Sequence, residues 1–161
     1  MTSLPPKSAA ALAVLLLCAA ARPVAAEILV TEGWARATVP GATTGAGYFV
    51  IKNTGPEART LLRLTTTVCD MLMLHQSSVD AQGIARMWPI AKLELAPGET
   101  LRFEPSGRHL MFMDLKAPLK AGDSVPVTFQ FDRGERPVTA QFTVRPLVDG
   151  EPAVDHSKHA H

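Results

Sequence analysis

HLMFMDLKAPLKAGDSVPVTFQFDRGERPVTAQFTVR, residues 109–145, consists of three short apolar or alternating runs separated by turn formers. In the middle run Val125, Val127, Phe129 and Phe131 recur at every second position, the period at which a strand places side chains on one face. The same texture extends upstream. Strands are expected over 28–36, 46–53, 61–66, 71–77, 85–90, 100–103, 109–115, 124–131 and 138–145, as short apolar or alternating runs in a chain rich in Val, Thr, Phe and Ile. Between them stand VPGATTG (39–45), NTGPE (53–57), DAQG (80–83), APGE (96–99), EPSG (104–107) and KAGD (120–123), whose Gly, Pro, Asn and Asp suit tight turns. No long stretch carries apolar residues at helical spacing, and no internal repeat is present. Many short strands at close intervals imply an all-β antiparallel sandwich or barrel rather than βαβ units.

The first 26 residues differ in kind. Lys7 precedes an apolar run of 13 residues, Ala9 to Ala21, and Ala25 and Ala26 follow. This is the pattern of a secretory signal peptide, with too few apolar residues for the roughly 20 of a membrane-spanning helix. Cys18 raises lipoprotein processing as a rival, but Leu17 stands where a small residue is normally required. Residues 1–26 are therefore assigned to the signal, 27–147 to one β domain and 148–161, with little apolar content, to a flexible tail. Periplasmic localisation follows from the signal.

The net charge of +1 becomes −1 once Lys7 and Arg22 are removed, which gives no electrostatic basis for nucleic-acid binding. Loss of Cys18 leaves Cys69 as the only thiol, so neither an intramolecular disulfide nor a CxxC redox motif can form. The sequence contains no GxSxG, HExxH or GxxxxGK[ST] motif, and catalysis is not expected.

The chemistry is concentrated between Met71 and Met113, where five of the six methionines lie together with His75 and His109. His109 and Met111 are two apart on a strand, so their side chains share a face about 6.6 Å apart. Imidazole and thioether together favour monovalent copper over hard cations; zinc more often recruits thiolate or carboxylate. The hairpin over 71–90 can bring His75 near Met87.

The segments GWARATVPGATTGAGYFVIKN (33–53), MLHQ (73–76), GIARMWPI (83–90) and LAPGETLRFEPSGRHLMFMDLKAPLKAGDSVPVTFQF (95–131) resemble the periplasmic copper chaperones of the PCu(A)C family, over about Ile28 to Val144. The family pattern is a histidine, a methionine about ten residues on, 21 residues, then His-x-Met. Met87 and His109 enclose 21 residues and His109-Leu110-Met111 completes the motif, whereas His75 and Met87 enclose 11. One extra residue in the SSVDAQG turn accounts for the difference. The resemblance implies a cupredoxin-like Greek-key β-sandwich that binds Cu(I) near its surface through His75, Met87, His109 and Met111. It also implies delivery of copper to a respiratory cytochrome c oxidase or a Sco-type partner.

The remaining soft residues receive other roles. Met71, Met73 and Met113 are expected to pack around the site, Cys69 to be a small buried hydrophobe, and Trp34 to be a core or rim aromatic. Trp88 should point to the strand face opposite Met87. His156, His159 and His161 offer a weak Cu(II) site in the tail. The expected protein is a monomeric carrier and not an enzyme; the rival is a structural or adhesive β-sandwich whose Met and His merely pack.

Overall fold

The computed structural model describes residues 27–133 and 136–147. Ten strands follow in order: β1 (Ile28–Arg36), β2 (Thr44–Asn53), β3 (Arg59–Thr66), β4 (Cys69–Val79), β5 (Ala85–Pro89), β6 (Glu94–Leu95), β7 (Thr100–Phe103), β8 (Arg108–Leu115), β9 (Ser124–Phe131) and β10 (Val138–Arg145). There is no helix among the described residues. The bounds of β1, β7, β9 and β10 are those the alternation predicts; β4 gains two residues at each end, and the two-residue β6 is an addition. The signal and tail assignments, with the histidines at 156, 159 and 161, lie outside the described residues.

The strands form one path, β5-β4-β8-β2-β1-β10-β9-β3-β6, and β7 also pairs with β2. Neighbours distant in sequence, such as β8 beside β2 and β9 beside β3, give the Greek-key connectivity. All the ladders are antiparallel except β1–β10, which runs parallel at Trp34↔Thr143 to Arg36↔Arg145. β2 serves two partners along its length: Thr44–Gly47 pairs with β8, and Phe49–Lys52 pairs with β7. The turn at 104–107 thus lets β7 and β8 lie end to end along one strand.

The path folds over on itself to close the core. Phe49 of β2 stacks on Phe103 at 4.2 Å between ring centroids and meets Phe129 of β9 at 5.2 Å edge-on. Val125, Val127, Phe129 and Phe131 all face inward from β9, as their spacing predicts, and Phe142 and Val144 do so from β10. Space for these rings is made at Gly47, where a Cβ would come within 2.9 Å of Phe112. Pro126 fits inside β9 because β3 ends at Thr66 opposite Val127, so no ladder partner needs its missing N–H.

The turns close as their residues dictate. Backbone N–H groups of Ala42, Gly83, Glu99, Gly107 and Asp123 donate to the carbonyl three residues earlier at 2.9–3.2 Å. The buried Asn53 side chain donates to the Glu57 and Leu95 carbonyls and accepts from Gly55 N–H, pinning the 53–57 turn to β6.

Candidate metal site

The site is built by the wing β5-β4-β8. In the β4–β8 ladder, His75 lies directly opposite His109, Met73 opposite Met111, and Met71 opposite Met113. Residues paired across an antiparallel ladder share a face, so these six form two columns on one face. The other face carries Leu72, Leu74, Leu110 and Phe112, all of them packed into the core. The local sequence enforces the division: MLMLH and HLMFM alternate soft and branched or aromatic side chains, and one is the reverse of the other in type.

The two imidazole rings lie nearly parallel, with centroids 5.9 Å apart. His109 is buried at 6% exposure and Met111 at 2%, whereas His75, Met73, Met87 and Met113 are half-buried and Met71 is 50% exposed. The site therefore grades from buried to open, and its buried end qualifies the expectation of a ligand set lying near the surface. His109 Nδ1 approaches the Gly107 carbonyl at 3.2 Å; donation there selects the tautomer whose Nε2 lone pair can bind a metal. Burial holds the His109 pKa below the ordinary imidazole range, with the Gly107 bond acting in the opposite sense. The ring is thereby kept neutral, the form that ligates.

Met87 arrives from the edge strand. Met87 pairs with Ser77 and Pro89 pairs with His75, which places Met87 diagonal to His75 on the same face. The hairpin between them is closed by Asp80, whose carboxylate accepts from Gln82 and Ile84 N–H groups. Trp88 pairs with Gln76 and faces the opposite way, as expected.

Met73 is expected from the sequence to pack around the site. It stands opposite Met111 and two positions from His75, nearer in register than Met87 to the His109–Met111 pair. The mirrored spacing of Met71-x-Met73-x-His75 and His109-x-Met111-x-Met113 is what the ladder brings into register. Cys69 is buried and its thiol donates to the Met71 carbonyl; burial pushes its pKa up. Trp34 lies at the rim, 4.4 Å from Tyr48, with the Arg145 guanidinium 4.6 Å from its centroid.

Among the described residues, no three His, Cys, Asp or Glu side chains gather as a metal site. The convergent donors are imidazoles and thioethers, a soft neutral set suited to a monovalent ion and unsuited to magnesium or calcium.

Residues 28–144 match the model of the family described as LpqE-like, named for a lipoprotein. The chain is 33% identical over 108 residues to Lxx21020 of Leifsonia xyli subsp. xyli, and 30% identical over 114 residues to RP573 of Rickettsia prowazekii. It covers 63% and 62% of those two proteins and gives 66% and 68% of its own length to the matches. Among solved structures, the copper-bound PCuAC domain of PmoF2 superposes with a TM-score of 0.62 at 19% identity, covering 75% of this chain and 94% of that one. The Cu(I) form of DR1885 from Deinococcus radiodurans is 30% identical with a TM-score of 0.50, covering 74% and 81%. The chain belongs to the LpqE-like family and has the cupredoxin-like β-sandwich of PCu(A)C domains.

Proposed function

We propose that the protein is an exported copper carrier that holds one Cu(I) through His75, His109, Met111 and Met87. The observation that carries this reading is the His75↔His109 rung, with Met111 two residues along β8 and Met87 on the adjoining strand. Its placement within a fold shared with copper-bound relatives supports the metal assignment.

The donor set suits a carrier. Thioethers hold Cu(I) without losing a proton and cannot be consumed by disulfide formation, and neutral imidazole adds affinity without charge. His109 and Met111 anchor the ion from the buried strand, while half-buried His75 and Met87 lie toward the β4–β5 edge, where a partner's thiolate or imidazole can displace them one at a time. The recipient in this reading is the copper centre of a respiratory cytochrome c oxidase, reached directly or through a Sco-type thiol protein.

Anaerobic titration of the purified protein with Cu(I) against a chromophoric chelator tests the site. One tight equivalent is expected, weakened strongly in His109→Ala and Met111→Leu; a protein that cannot compete with the chelator would refute carriage. Deleting the gene and assaying oxidase activity at limiting copper tests delivery separately, with a loss restored by added copper as the expected result.

A further inference from the structure

The His75–His109 rung uses only one end of the soft face. Beyond it the ladder continues as Met73↔Met111 and then Met71↔Met113, with successive rungs about 6.6 Å apart. Directly opposed residues have Cβ atoms about 4.5–5.5 Å apart, and the three flexible torsions of each methionine let two opposed sulfurs turn toward a common point. At this rung Met71 is 50% exposed and Met113 half-buried. A half-exposed strand position filled by a thioether gains little from burial, so packing alone gives a poor account of Met71.

The paired side chains at this rung offer sulfur and no oxygen donor. Of the flanking acids, Asp70 has the other strand parity and is 3.4 Å from Lys116 Nζ. Cys69, the remaining sulfur, is buried, and its thiol donates to the Met71 carbonyl. What the rung presents to solvent is a pair of neutral thioethers.

From this geometry we infer that Met71 and Met113 form a second, weaker site for a monovalent soft cation, and that Met73 is the step by which the ion passes between it and the histidine rung. The inference rests on the copper-carrier reading and adds an entry point at the open end of the face. Passage is ligand exchange only: a metal–sulfur bond forms at Met73 as one at Met71 or Met113 breaks, and the ion keeps its charge throughout.

The test is NMR of the full chain carrying ¹³C-methyl methionine, titrated with Ag(I) in chloride-free buffer. The first equivalent should move the Met111 and Met87 methyl signals. The second should move those of Met71 and Met113, with an affinity at least about tenfold weaker than the first, a gap of about 1.4 kcal/mol. Met71→Leu, close in volume at a half-exposed position, should abolish the second response at Met113 and leave the first intact; Met113→Leu should do the same at Met71. Signals of Met71 and Met113 that stay unmoved through two equivalents, or a Met113 response that survives Met71→Leu, would overturn the second site. An unmoved Met111 signal at the first equivalent would instead overturn the carrier reading on which it rests.

Discussion

Along β8, Leu110 and Phe112 point one way and His109 and Met111 the other, and none of the four exceeds 6% exposure. Burial does not distinguish the two faces. The core face uses a branched and an aromatic side chain that lock into the Phe49, Phe129 and Phe142 cluster. The other face uses an imidazole and a flexible thioether, each meeting its own kind across the ladder to β4. A strand shielded on both sides thus gives one side to cohesion and carries metal-competent donors on the other, and the chemistry of the residues rather than their exposure distinguishes the two.

That division can be broken from either side. Phe112→Ala should cost about 3–5 kcal/mol in urea unfolding while the folded fraction still binds one Cu(I); loss of copper at full stability would assign Phe112 to the wrong face. Met111→Leu should do the reverse, lowering Cu(I) affinity about 100-fold, near 2.7 kcal/mol, with stability changed by less than about 1.5 kcal/mol. A smaller contrast separates the competing thioethers. Met87→Leu should weaken binding about tenfold, whereas Met73→Leu should weaken it less than about threefold at equilibrium. The opposite ranking would move the fourth ligand from β5 to β4.

The smallest effect concerns Cys69. Its pKa is raised by burial, so above the ordinary thiol range of about 8.5 the unfolded chain releases a proton that the folded protein retains. Stability should therefore be unaffected below that range and fall as the pH rises through it. Urea midpoints compared between pH 7 and 9.5 measure the slope, and Cys69→Ala should remove this thiol's contribution to it. An unchanged slope would show the thiol ionising equally well in both states.

Most of the fold was legible because its signals are local. Alternation at 124–131 and 138–145 depends only on which face each side chain must bury, and the turn residues at 80–83, 96–99, 104–107 and 120–123 close bonds within four residues. β6 escaped because two residues, Glu94–Leu95, carry no periodicity; β3 and the Asn53 side chain recruit them from a distance. The arrangement of the candidate site was legible in part for a related reason. His109 and Met111 share a strand, so their common face follows from spacing alone. The pairing of His75 with His109 spans 34 positions and has no local signature, and Met73 gains its position from that same long-range ladder.

The parallel pairing of β1 with β10 carries a consequence for the order in which the molecule can be made. These strands, the first and last of the ten, lie side by side at the middle of the sheet path. The hydrogen-bonded seam between the two wings cannot form until residues 143–145 have emerged, more than a hundred residues after Trp34, and closing so long a loop slows folding relative to local hairpins. Chains interrupted before β10 would lack the seam between the wings while already displaying the methionines of β4 and β8. Such fragments should open more readily to proteases than the completed domain.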